Sequence, residues 1–105
     1  MDINECRSKI DELDVLLVNL LNERTRTVQE IGRLKRDTRM PVYEPEREKL
    51  VLENVSRANQ GPLPDAELRY LYGHIIAVMR NVQKNLNPAF QPITDSSGLA
   101  VELKE

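Results

Sequence analysis

The chain has 105 residues, enough for one domain and too few for a nucleotide-binding fold with a separate substrate domain. Hydrophobic residues make up 40%, which supports a core, while aromatics at 4% with no Trp argue against an aromatic nucleic-acid platform. Fifteen Lys and Arg against 17 Asp and Glu give a net charge of −2, which disfavours a globally basic nucleic-acid binder but not a local cationic cluster.

One cysteine excludes an internal disulfide framework and a Cys-based zinc site, and one histidine excludes a His-rich metal site. The opening MDINECRSKIDELD is charged from the start and has no secretory apolar region. No apolar run approaches the roughly 20 residues of a membrane span. The expectation is a small cytoplasmic protein with neither a membrane nor a nucleic-acid partner.

From Asp2 to about Asp37 there is no proline, and apolar residues recur every three and four positions. One heptad line holds Ile3, Ile10, Leu17, Arg24 and Ile31, and the other holds Cys6, Leu13, Leu20, Thr27 and Leu34. Eight of these ten are apolar, the pattern of a coiled-coil seam on one long helix. Pro41 and Pro45 bracket a loop, and Pro45 suits the first turn of a second helix running to about Ala58. Glu44, Glu46 and Glu48 lie near that start, where negative charge is favourable. Leu52 and Val55 are expected inward, with Leu50, Val51 or Ala58 partly so. NQGPLP breaks the chain again.

A third helix is expected from Pro64 or Asp65 to about Asn87. Its apolar stripe is Leu68, Leu71, Tyr72, Ile75, Ile76, Met79, Val82 and Leu86. Residues 88–105 hold two prolines and no helical period, and read as a mobile tail beyond a helical domain of residues 1–87.

The predicted architecture is therefore all-α with three helices. A first helix of about 35 residues spans on the order of 52 Å. A compact monomer of this size has a diameter of roughly 33 Å. The first helix is too long for its own chain to cover, so its seam calls for a second copy of itself and the geometry predicts a homodimer.

The informative residues are the polar ones that interrupt apolar faces. Arg24 takes a seam position, and an unpartnered buried guanidinium is very unfavourable, so Arg24 must meet anions or water. Lys35 follows eleven residues later, close to three full turns, on nearly the same face. Both could converge on a small anion. Arg7 borders the seam but lies about 25 Å from Arg24 along the axis. It cannot readily reach the same ligand within one chain, whereas in an antiparallel dimer the partner's copy could. The competing reading pairs these cations with Asp14, Glu23, Glu30 or Glu48, or lets them snorkel to solvent.

Gln83 intrudes on the inner side of the third helix and needs its amide satisfied, by another helix or by a ligand. Glu48 and Arg47 fall on the first turns of helix two, where a helix-terminus effect or an i,i+4 pair would explain them. His74 reads as structural or exposed, and Cys6 as core. Gly32 and Gly73, each unfavourable by about 1 kcal/mol in a helix interior, suggest close helix approach or room for a ligand. There is no nucleophile–base pair. Cations and amides without a nucleophile suit electrostatic stabilisation and conformational restriction rather than covalent catalysis.

The stretch CRSKIDELDVLLVNLLNERTRTVQEIGRLK, the element MPVYEPEREKLVLENV and the late IIAVMRNVQ together resemble the all-helical (class II) chorismate mutases. The resemblance covers roughly residues 3–86. It rests on the order and spacing of R-x-x-I-D-x-L-D, E-R followed by I-G-x-x-K, P-V-x-x-x-x-R-E and R-x-x-Q. It implies a three-helix protomer in an intertwined homodimer with two equivalent sites. The implied reaction is the pericyclic conversion of chorismate, a dianion, to prephenate on the route to phenylalanine and tyrosine. No metal or organic cofactor is implied.

By the same resemblance, Arg24 binds a substrate carboxylate and Arg7 reaches in from the other protomer. Lys35 lies near the ether oxygen and a carboxylate, Gln83 hydrogen-bonds the ether oxygen, and Glu48 holds the ring hydroxyl. Arg47 and Glu44 stand beside the site. Met79 departs from the pattern: many relatives carry a Ser there that contributes to carboxylate binding, and a thioether cannot donate that bond. Isochorismate-pyruvate lyase shares this fold and much of its cationic site, and is the alternative activity. A non-catalytic helical module that docks on another aromatic-pathway enzyme is the alternative of another class.

Overall fold

The computed structural model describes residues 1–85, and these form three helices: α1 (Ile3–Thr38), α2 (Pro45–Ala58) and α3 (Asp65–Lys84). The expected all-α, three-helix architecture is observed. The third helix stops short of the expected Asn87. Leu86 and the tail expected from residue 88 lie outside the described residues.

Each boundary has a local cause. Asp2 caps α1 through a reciprocal pair, its carboxylate accepting from Glu5 N–H at 2.8 Å while Glu5 accepts from Asp2 N–H at 3.0 Å. At the other end Arg39 takes a left-handed conformation (φ 60°), and Met40 N–H closes onto Lys35 C=O at 2.8 Å. Pro45 occupies the first position of α2. After Ala58, Asn59 builds the turn with its own amide: its oxygen accepts from Gly61 N–H and its nitrogen donates to Leu63 C=O, both at 3.0 Å. Gly61, at φ +73°, supplies the backbone conformation that turn needs.

Helix α3 is the element on which both others pack. Only the C-terminal half of α1 takes part. Val28, Gly32 and Lys35 are buried there, opposite Ile76 and Met79 of α3. Thr25 joins the two helices, its hydroxyl donating to Leu21 C=O at 2.7 Å and lying 3.6 Å from the Met79 sulfur. Ser56 links α2 to α3 by donating to Asp65 at 3.2 Å.

The N-terminal half of α1 has no such cover. Ile10, Leu13, Leu17 and Leu20 are between 44% and 60% exposed in the protomer. Cys6, expected in a core, is exposed with them. The described chain measures 53 × 34 × 20 Å with a radius of gyration of 16.3 Å, against the about 12–13 Å of a compact domain of this length. Val28, Ile76 and Met79 are the buried apolar side chains among the described residues, a thin core for so long a helix.

One inward expectation on α3 is corrected, and one of the two readings of Gly73 drops out. Leu71 is 52% exposed because the apolar stripe is wider than the face α1 and α2 cover. Gly73 has open space where a Cβ would stand, so no close approach within the protomer accounts for it. His74 is exposed and meets Tyr70 edge-on, with ring centroids 4.8 Å apart. Among the described residues, no helix is long and apolar enough to cross a membrane.

Candidate active site

Where the three helices diverge beside the covered half of α1, they enclose a cleft of about 400 Å³, within the range of small-molecule sites. Helix α1 contributes Arg24, Thr27, Val28, Ile31 and Lys35. The loop and α2 contribute Val42, Glu44, Arg47, Glu48 and Val51. Helix α3 contributes Ile76, Met79, Arg80 and Gln83. Seven of the residues singled out in the sequence thus meet in one place: Arg24, Lys35, Glu44, Arg47, Glu48, Met79 and Gln83. The eighth, Arg7, is exposed on the uncovered half of α1 and does not line this cleft.

Lys35 is the organising residue. It is 6% exposed, and its ammonium engages three oxygens: Val42 C=O at 3.2 Å, Gln83 Oε1 at 3.0 Å and Glu44 Oε1 at 2.5 Å. Two of these contacts are hydrogen bonds donated by the ammonium, to Val42 and Gln83, and the contact with Glu44 is an ion pair. Lys35 also fixes Gln83. Only the amide oxygen can face a donor, so the NH₂ end of Gln83 is the end available as a donor. Glu44, expected to serve the N-terminus of α2, makes no side-chain cap there; its carboxylate turns to Lys35 instead.

Glu48 does not make the i,i+4 pair considered for it. Its partner is Arg80, across on α3, in a side-on pair with Nε to Oε2 at 2.9 Å and Nη2 to Oε1 at 2.7 Å. These hydrogen bonds hold the Glu48 carboxyl below the usual carboxylate range. Partial burial opposes them, and the charges of Arg80 and Lys35 reinforce them. Arg80 in turn stacks on Tyr43 of the loop, 4.9 Å from the ring centroid. Sequence reasoning gave Arg80 no role, although it stands three residues before Gln83 in the R-x-x-Q motif and so on the neighbouring face.

Arg24 lies 5.7 Å from the Tyr72 ring centroid, which leans its guanidinium on α3. Among the described residues, neither Arg24 nor Arg47 has an ion-pair partner. Four cations and two carboxylates line the cleft, an excess of two positive charges in which Lys35 and Arg80 are the paired ones. Met79 is 6% exposed and presents its thioether to the wall, so it supplies no strong donor.

Fold and site together define a class: an all-helical protein built around a small cationic cleft suited to a compact dianion. The profile of the chorismate mutase type II family matches residues 6–84, and the chain belongs to that family. It is similar to the chorismate mutase of Thermus thermophilus (form II structure), at 34% identity and a TM-score of 0.78 over 81% of this chain and 97% of that one. It also resembles the Helicobacter pylori chorismate mutase solved in complex with prephenate, at 27% identity and a TM-score of 0.74 over 85% of this chain and 97% of that one. Among curated proteins, the bifunctional chorismate mutase/prephenate dehydratase of Aquifex aeolicus is 31% identical over 93 residues, 85% of this chain and 26% of that protein. The chain spans about a quarter of the length of the bifunctional relatives it matches.

Proposed function

We propose that the protein is a cytoplasmic isomerase that converts chorismate to prephenate, working as a homodimer with two equivalent clefts. The observation that carries this reading is the excess of two positive charges in the cleft, with Arg24 and Arg47 unpaired among the described residues. A substrate with two carboxylates supplies the missing counter-charges.

The chemistry follows from the same side chains. The rearrangement breaks an ether C–O bond as a C–C bond forms, with no proton transfer and no covalent adduct. What accelerates it is confinement of the reactive conformer and stabilisation of the negative charge that develops on the ether oxygen. Lys35 supplies the charge for that oxygen, and the NH₂ of Gln83 supplies a donor whose orientation Lys35 fixes. Glu48, held by Arg80, offers its free lone pairs to a substrate hydroxyl. Val28, Ile31, Val51 and Ile76 pack around the ring and limit its conformations.

The uncovered half of α1 supports the dimer. A second copy laid antiparallel along Ile10, Leu13, Leu17 and Leu20 would bury those side chains. It would also bring the partner's copy of Arg7 toward the cleft and raise its positive charge further.

The deciding assay incubates the purified protein separately with chorismate and with isochorismate. Prephenate from chorismate is the expected result. Pyruvate and salicylate from isochorismate alone would transfer the assignment to the lyase. Turnover of neither substrate would leave a binding module and overturn the enzymatic reading.

A further inference from the structure

We propose that Arg80 is a positioning residue of this site: its guanidinium holds the Glu48 carboxylate against the cleft wall while its face holds Tyr43, so that α3 sets the geometry of the start of α2. The proposal rests on the functional reading above.

Three observations support it. The Glu48–Arg80 contact is side-on, with two parallel hydrogen bonds of 2.9 and 2.7 Å, a geometry that fixes the rotation of the carboxylate as well as its position. The pair joins residues 32 apart in sequence and on different helices, so it is a tertiary tie and not a helix-surface pair. The same guanidinium also lies over Tyr43, one residue before the residue that flanks α2 and engages Lys35. One cation thus holds the loop and the first turn of α2 at once.

The electrostatics give the device its purpose. The charges acting on Glu48 are those of Arg80 from α3 and Lys35 from α1; Arg47 and Glu44 line the same cleft, and Tyr43 lies beneath Arg80. A carboxylate left loose here would be drawn toward Lys35, which already pairs with Glu44, and would compete with the ligand for that ammonium. It would also repel an incoming dianion. Arg80 prevents both: it balances the charge of Glu48 locally and leaves one lone pair on each oxygen free to accept from a hydroxyl. Arg80 thereby acts through Glu48 and need not touch the ligand.

The test is a cycle of Arg80→Met, Arg80→Lys, Glu48→Gln and the double variant Glu48→Gln/Arg80→Met, with kcat/KM for chorismate measured for each. In the wild-type background Arg80→Met is expected to lower kcat/KM about tenfold or more. In the Glu48→Gln background the same change is expected to cause little further loss. Arg80→Lys restores charge but not the side-on fork, so it is expected to fall between.

A second readout needs no turnover: the titration of Glu48, followed by NMR in side-chain-labelled protein, is expected to move up in Arg80→Met. Equal losses in both backgrounds would mean that Arg80 acts on the ligand or on the fold independently of Glu48, and would overturn the proposal. So would an unmoved Glu48 titration in a folded Arg80→Met protein. An inactive wild-type protein would remove the functional reading alone, and the titration would still decide whether Arg80 governs Glu48.

Discussion

The orientation of the Gln83 amide yields the sharpest prediction. Lys35 Nζ lies 3.0 Å from Gln83 Oε1, which leaves the NH₂ group free to be the donor proposed for the ether oxygen. Gln83→Glu keeps the shape and removes that donor whenever the carboxyl is ionised. The protonated acid restores it, its carbonyl facing Lys35 and its O–H facing the ligand.

A glutamate has an ordinary pKa of about 4.3, and the Lys35 ammonium in contact with it lowers that value further. At pH 7 only about one carboxyl in 500, or fewer, then carries its proton. The functional form grows as pH falls, so kcat/KM of the variant divided by that of wild type rises about 80- to 100-fold from pH 7 to pH 5, close to tenfold per unit. Taking the ratio cancels titrations common to both proteins. Gln83→Met is the control: it has no donor at any pH, and its ratio is expected to stay flat at a loss of about 100- to 1000-fold. A flat Gln83→Glu ratio, or an equal slope in Gln83→Met, would refute donation by Gln83.

Two further expectations concern the dimer. Leu17 and Leu20 are 56% and 60% exposed on the protomer, and Leu17→Asp with Leu20→Asp would place charges in the middle of the proposed seam; sedimentation is expected to show monomers with little activity, and an unchanged dimer would remove that seam from the interface. Arg7→Ala and Lys35→Ala chains, each inactive alone, are expected to recover roughly a quarter of wild-type activity on random reassociation, because half the dimers are mixed and each of those carries one intact cleft. No recovery in verified mixed dimers would sink the assignment of Arg7 to the neighbouring site.

What the sequence disclosed, and what it withheld, divides along the range of the interactions. The helices and their ends follow from local chemistry: proline placement at Pro45, the Asn59–Gly61 turn, and the three-and-four spacing along α1. Arg24, Lys35 and Gln83 were legible because each breaks an apolar face of its own helix, and a buried polar group asks for a partner. Arg80 broke nothing. It follows Met79 on α3 and passes for a solvent-facing arginine until Glu48 of α2 is brought beside it. Glu44 differs for the opposite reason. Its place before Pro45 offers a sufficient local explanation, helix-terminus charge, so only the resemblance puts it beside the site, and its partner, Lys35, lies on another helix. Leu71 was misplaced because periodicity gives the direction of a stripe and not the width of the surface that covers it.

The ion pair that Lys35 already makes bears on how affinity arises. Glu44 holds a carboxylate against this ammonium beside the hydrogen bonds to Val42 and Gln83, so a carboxylate arriving there competes with one already in place. The Val42 carbonyl belongs to the backbone and Gln83 to the body of α3. Glu44, on the loop and 37% exposed, is the partner free to withdraw toward water. Association at this ammonium is therefore a ligand substitution rather than a simple addition. The incoming carboxylate is measured against a resident carboxylate instead of against solvent, and a molecule with one weak anionic group gains little by the exchange. Under the proposed function, selectivity for a dianion then rests on this competition as well as on the shape of the cleft.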